Sequence, residues 1–211
     1  MEALLQYLSA AFVIVPLILG ILKKSYLNRG ISLVFLLLII SFFLEIVNIW
    51  CGLNGVNNML VFSIYTTVEF ILFALFYKNF YDSIKKSFIH YLLIILFSCV
   101  ATLDMFFIND YMTVNNFSSS LESIIFILYS LLAFFFIMKR LMFQNLLNTS
   151  FFWINIAILI YFAGNLFLFL FSNHLQKNDQ AQYLAVYNIH SVTNIIYYIL
   201  ISIGFWKAAR V

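Results

Sequence analysis

The chain has 211 residues, of which 65% are hydrophobic and 9% charged, with a formal net charge of +3. Soluble domains carry roughly a quarter charged residues, so this composition excludes an ordinary globular domain in water and makes lipid the solvent. The positive balance gives no reason to expect a nucleic-acid partner, because basic residues on a membrane chain follow topology.

A hydrocarbon core of about 30 Å takes about 20 apolar residues to cross. Stretches of that length are expected as helices at 4–22, 31–50, 59–77, 88–107, 119–138, 151–171 and 188–206, forming one all-α domain over 1–211. The first has Glu2 before it and Lys23-Lys24 after it, the reverse of a cleavable signal peptide, so it reads as a true first span. Its Pro16, the sole proline, removes a backbone donor and predicts a kink near Phe12 to Pro16. The second carries Glu45 and Asn48 and ends at Trp50; the polar turn 51–58 leads to the third, with Tyr65 and Glu69. His90 opens the fourth and Asp104 stands near its end, before a second amide-rich loop at 109–116. Glu122 lies early in the fifth, Asn155, Tyr161 and Asn165 in the sixth, and His190 and Asn194 in the seventh, with His174 and Lys177 in the preceding loop.

Short cytoplasmic loops carry the excess of Lys and Arg. Lys23, Lys24, Arg29, Lys78, Lys85, Lys86, Lys139, Arg140, Lys207 and Arg210 all fall between or after alternate spans, and only Lys177 falls on the other side. This split predicts seven spans, an outer N-terminus and a cytoplasmic C-terminus. Trp50, Trp153 and Trp206 stand at predicted interfaces, where an amphipathic ring is favoured. Cys51 and Cys99 match no metal or redox spacing and read as free thiols.

Ionisable side chains within spans are the informative positions, since each costs a few kcal/mol at the bilayer centre unless it faces the bundle interior or water. Counted at about 1.5 Å per residue, Glu69 lies about 16 Å below Asn58 and Glu45 about 7–8 Å below Trp50, while Asp104 and Glu122 come within about a turn of the outer surface, where simple solvation is an alternative to a place in the interior. Buried polarity concentrates in the outer half; the inner half is mostly Leu, Ile and Phe apart from Asn155 and a few hydroxyls. The expectation is an outward pocket lined by Glu45, Asn48, Tyr65, Glu69, Glu122, Tyr161, Asn165, His190 and Asn194, negative in charge and suited to a small cationic, amine-bearing or hydroxyl-rich ligand. The alternative is that these groups hydrogen-bond neighbouring helices as polar glue. With no Lys or Arg at its depth, Glu69 either holds its proton or is kept charged by water, a bound cation or His190. The three outer hairpins also repeat a pattern of paired polar residues, Glu45 with Glu69, Asp104 with Glu122 and Asn165 with His190, consistent with an ancestral repeat or with chance.

Catalytic constellations are weak. His90, His174 and His190 are spread over different depths, no HxxxH or HxxE spacing appears, and neither a resident metal nor another cofactor is expected. There is no GxSxG elbow, and His190-Ser191 are helix neighbours that face different directions. The last span has no lysine before Lys207, which sets retinal chemistry aside, and no span holds an arginine series.

The stretches Tyr65-Thr-Thr-Val-Glu-Phe70 and Phe152-Trp-Ile-Asn-Ile-Ala-Ile-Leu-Ile-Tyr-Phe-Ala-Gly-Asn165, with Ile189-His190 and Asn194-Ile-Ile196, resemble uncharacterised seven-helix proteins of Bacteroidota-type bacteria and the N-terminal membrane sensor regions of some histidine kinases. The resemblance implies a receptor-like sensory module. Since the sequence stops at Val211, five residues after the last predicted helix, the signal is expected to pass to a separate cytoplasmic partner. A small proton- or cation-coupled transporter, with Glu69 cycling its proton, and an enzyme acting on lipid, with Glu69 or Glu122 and His190 as acid and base, are the other classes these residues fit.

Overall fold

The computed structural model describes residues 2–82, 88–108, 116–140, 145–178 and 180–208, and within these the chain is helical with no strand. The first span is two helices, α1 (Glu2–Ala11) and α2 (Ile14–Leu22), parted at Phe12 and Val13. Pro16 would have donated to the Phe12 carbonyl; that carbonyl accepts from the Val15 amide instead, at 3.1 Å, so the expected kink is a break one turn before the proline.

α3 (Arg29–Asn54) starts on Asn28, whose side chain accepts from the Ile31 amide at 2.9 Å, and stops at Gly55 with φ +65°, where the Val56 amide reaches back to the Cys51 carbonyl. α4 (Met59–Asp82) follows directly, and α5 (Ile89–Leu103) continues into a wide π-type turn at Asp104–Ile108. α6 (Asn116–Arg140), α7 (Ser150–Asn178) and α8 (Gln180–Trp206) complete the chain. Among the described residues seven helical stretches are long and apolar enough to cross a membrane, which makes this a multi-pass membrane protein by length and composition.

Two boundaries depart from expectation. α3 runs one turn past Trp50, and 172–187, read as an outer loop, is helical on both sides of residue 179. His174 and Lys177 therefore belong to α7. The loop segment 109–115, with Lys85, Lys86 and Arg210, lies outside the described residues.

The helices form a closed ring in chain order, with α1 and α2 packed against α8 and α2 also against α3. Within the ring α4 packs on α3, α5 and also α6, and its Phe70, Phe73, Phe76 and Tyr77 are fully or almost fully buried. α7 and α8 make the most extensive contact, and a Cβ on Gly204 would sit 2.8 Å from Ile154 Cγ1, so only a missing side chain permits the approach there. Contacts between helix ends gather the basic residues together. Lys23 lies over the Trp206 ring at 5.4 Å, Lys207 donates to Asn148 at 3.0 Å, and Lys78 pairs with Asp82 and lies 5.0 Å from the Tyr91 centroid. The half of the bundle remote from this basic end holds the cavity described next.

Candidate functional site

A cavity of about 270 Å³ opens among the second halves of α3 and α7 and the first halves of α4, α6 and α8. Eight of the nine residues singled out in the sequence line it together: Glu45, Asn48, Tyr65, Glu69, Glu122, Tyr161, His190 and Asn194. Their convergence follows from helix geometry. Each was chosen as a polar residue that lipid would reject, and five helices that turn such residues away from lipid deliver them to one interior.

Glu45 is half-buried, one turn from Asn48, whose side-chain oxygen accepts from Asn58 at 2.7 Å and so ties α3 to the start of α4. Below this amide pair, the Tyr65 hydroxyl lies 2.8 Å from Ser41 Oγ and donates to Glu69 Oε1 at 3.4 Å. Glu69 is 7% exposed and Glu122, on α6, is 2% exposed, and both line the one cavity. Glu122 Oε1 has no hydrogen-bond partner among the described residues. Neither a lysine nor an arginine lines the cavity.

Asn165, the ninth residue, stands behind the wall. It is fully buried and its side-chain oxygen lies 2.9 Å from His190 Nδ1. With the amide so oriented the ring donates from Nδ1, and a neutral His190 is left with Nε2 as an acceptor. Asn165 is therefore a positioning residue for the imidazole. Asn194 donates to Ser9 of α1 at 3.1 Å, fastening the broken first span to the cavity wall. Ser191 donates to the Tyr187 carbonyl of its own helix at 3.2 Å and forms no dyad with His190.

Under the two carboxyls the bundle is closed by phenylalanine. Phe70 stacks on Phe97 at 3.8 Å, and Phe126 lies 5.1 Å from both Phe70 and Phe162 and 5.4 Å from Phe73. Beyond this layer lies a second set of polar groups, built around the Asn155 singled out in the sequence. The Tyr77 hydroxyl is 2.6 Å from Ser130 Oγ and donates to Asn155 Oδ1 at 2.7 Å, joining α4, α6 and α7. Further on, the Tyr81 hydroxyl donates to the Tyr129 carbonyl at 2.9 Å, and the Tyr129 hydroxyl meets His90 Nδ1 at 2.8 Å. These bonds join α4, α5, α6 and α7 toward the basic end of the bundle, and they are made by Asn155 and the few hydroxyls that the sequence showed there, together with His90.

Asp104 and Glu122, either of which could have been solvated at its height, are both buried. Asp104 accepts from the Ser118 amide at 2.8 Å and so caps the start of α6, while Glu122 lines the cavity, as its place among the pocket residues anticipated. Counting along a helix axis gives height and not direction, and it is direction that buries Glu122.

The remaining polar lining residues were missed, although a signal for them existed. Ser41 is four residues before Glu45, Ser119 three before Glu122, Tyr187 three before His190, and Tyr198 four after Asn194, so each shares a face with a residue already chosen. Among the described residues no three His, Cys, Asp or Glu side chains are grouped to hold a metal ion. No family model, curated protein or solved structure matches this chain.

Proposed function

We propose that this is a receptor-like integral membrane protein that binds a small cationic or polar ligand from outside the cell and signals to a separate cytoplasmic partner. The observation that carries the reading is the convergence of eight separately chosen polar residues on one cavity, with a buried carboxylate oxygen left unbonded in its wall. Polar glue alone would satisfy its members against neighbouring helices and leave no space between them. The basic end of the bundle faces the cytoplasm in this reading, because short cytoplasmic loops collect Lys and Arg. The cavity then opens outward, and the membrane is the bacterial inner membrane.

The resemblance to sensor-kinase membrane regions agrees with this, since its quoted stretches contain Tyr65, Glu69, Tyr161, His190 and Asn194 of the lining. The phenylalanine layer beneath Glu69 and Glu122 favours binding over passage. Ligand contact moves α4, whose buried face carries Glu69, Phe73, Tyr77 and Tyr81 at four-residue intervals, and the movement reaches the partner at Lys78 to Asp82 or at the C-terminal end.

The test uses a background with Cys51→Ser and Cys99→Ser. A hydrophilic, membrane-impermeant thiol reagent added outside should label Thr66→Cys in the cavity wall and spare Ile64→Cys, which faces lipid at the same height. Equal and negligible labelling of both would refute an outward cavity.

A further inference from the structure

The chemistry of the cavity specifies its ligand more narrowly than a small cationic or polar molecule, and the argument rests on the binding reading above. Glu69 and Glu122 are both buried, line the one cavity, and have no lysine or arginine beside them in the lining. His190 spends its Nδ1 hydrogen on Asn165 and offers the cavity only an acceptor. Asn48 accepts from Asn58 through its oxygen, and Asn194 donates to Ser9. What the lining lacks beside the two carboxyls is therefore positive charge, and Glu122 Oε1 lacks a donor.

Glu122 Oε1 decides between kinds of cation. An unpartnered acceptor on a side chain 98% buried is satisfied by a ligand N–H and left unsatisfied by a quaternary ammonium, whose methyl groups hold no donor. A metal ion is disfavoured by the missing third His, Cys, Asp or Glu ligand among the described residues. The lining also contributes the rings of Phe62, Tyr65, Tyr161, Phe169, Tyr187 and Tyr198, which suit an organic cation with an apolar body. The volume of about 270 Å³ lies near the lower end of ligand pockets, which run from roughly 300 Å³. That is room for a small molecule and too little for a lipid chain with its headgroup.

We infer that the ligand is a protonated primary or secondary amine with a compact apolar body, its ammonium group seated between Glu69 and Glu122 and donating to Glu122 Oε1. Half-buried Glu45, nearer the outer ends of α3 and α4, draws the cation in. Asn165 and His190 fix the acceptor that meets a second donor on the ligand, where it has one.

The experiment measures protection of Thr66→Cys from the thiol reagent, with the protein in lipid nanodiscs and the native cysteines replaced by serine. Three probes share one aromatic body: 2-phenylethylamine, its N,N,N-trimethyl derivative and 2-phenylethanol. The amine should protect at concentrations at least tenfold below the other two, a difference of about 1.4 kcal/mol. Glu122→Gln should erase that tenfold preference while the thermal melt stays that of the parent, and Glu69→Gln provides the same reading if Glu122→Gln does not fold. Equal protection by the trimethyl derivative would overturn the donor requirement, equal protection by the alcohol would overturn the charge requirement, and protection by sodium or calcium chloride alone would make this an inorganic ion site. Protection by none of the probes in the millimolar range overturns the amine assignment. In each of these cases Thr66→Cys still reacts, so the cavity reading stands; failure of Thr66→Cys to react at all is the separate result that removes the cavity reading itself.

Discussion

Replacing Tyr77 by phenylalanine removes one oxygen from the buried interior and leaves the ring in place. The ring keeps its stacking with Tyr129, centroids 5.1 Å apart, and its edge contact with Phe76 at 5.2 Å, so no packing is lost beyond the hydroxyl itself. Two bonds disappear, to Ser130 at 2.6 Å and to Asn155 at 2.7 Å. Interhelical hydrogen bonds in membranes average about 0.6 kcal/mol and reach about 1.7, so the pair is worth about 1–3 kcal/mol. Fully buried Asn155 Oδ1 is then left without its Tyr77 donor, which moves the expectation toward the upper half of that range. The assay is reversible unfolding in bicelles as part of a double-mutant cycle with Asn155→Leu. Since the two residues share one bond, the double variant should be more stable than additivity predicts by about 0.5 kcal/mol or more. A Tyr77→Phe effect below about 0.3 kcal/mol, or strict additivity with Asn155→Leu, would show that the α4–α6–α7 network does not hold these helices together.

Gly204→Val should lower the melting temperature by several degrees, because its Cβ meets Ile154 at 2.8 Å and the Ser150 carbonyl at 3.3 Å, whereas Gly52→Ala, with nothing within 4 Å, should leave the melt close to the parent's. In intact cells lacking the native cysteines, an impermeant maleimide should label Gly52→Cys directly and Leu147→Cys only after permeabilisation; the opposite order would reverse the proposed orientation. Asn165→Leu removes the acceptor for the His190 Nδ1 hydrogen, so ¹⁵N spectra of histidine-labelled protein should lose the Nδ1–H tautomer signal that dominates in the parent, and an unchanged spectrum would refute the positioning role.

The spans were legible because their signal is redundant: apolar length, alternating basic loops and interfacial tryptophans all report the same periodicity. Their ends were not. Residues 172–187 contain Asn, His, Gln, Lys and Asp, the vocabulary of loops, yet α7 and α8 run through almost all of them, because helices that pack on each other can extend past the apolar stretch with polar side chains. The site was legible for a related reason. A carboxylate such as Glu69 in an apolar run has few tolerable directions, so listing such residues nearly lists the lining of the interior. The network toward the basic end escaped the same logic because tyrosine is half apolar. Tyr77 and Tyr129 stand among Phe70, Phe73, Phe76 and Phe126, where an aromatic run hides a hydroxyl, and Asn155 alone does not name its partners. The usable signal was spacing, since Tyr77 is eight residues after Glu69 on one face of α4.

The distribution of bonded and unbonded polar groups then separates the two halves. In the half toward the basic end Tyr77, Ser130 and Asn155 satisfy one another, with Asn155 also donating to the Ser130 carbonyl at 3.2 Å, and Tyr81, Tyr129 and His90 do the same nearby. That is a finished network, and a finished network holds helices in one arrangement. In the opposite half the polar groups surround a space, and Glu122 Oε1 in its wall and the Asn165 amide nitrogen behind it have no partner among the described residues. An unfinished network in a low-dielectric interior is destabilising by about 1–3 kcal/mol for each such group, and a ligand that completes it recovers part of that energy as binding. Helix α4 runs through both halves, with Glu69 in the unfinished one and Tyr77 in the finished one, about 12 Å apart along the axis. Filling the space therefore acts on the same rigid element that the finished network anchors, and this is the physical basis for expecting binding at one end to be felt at the other.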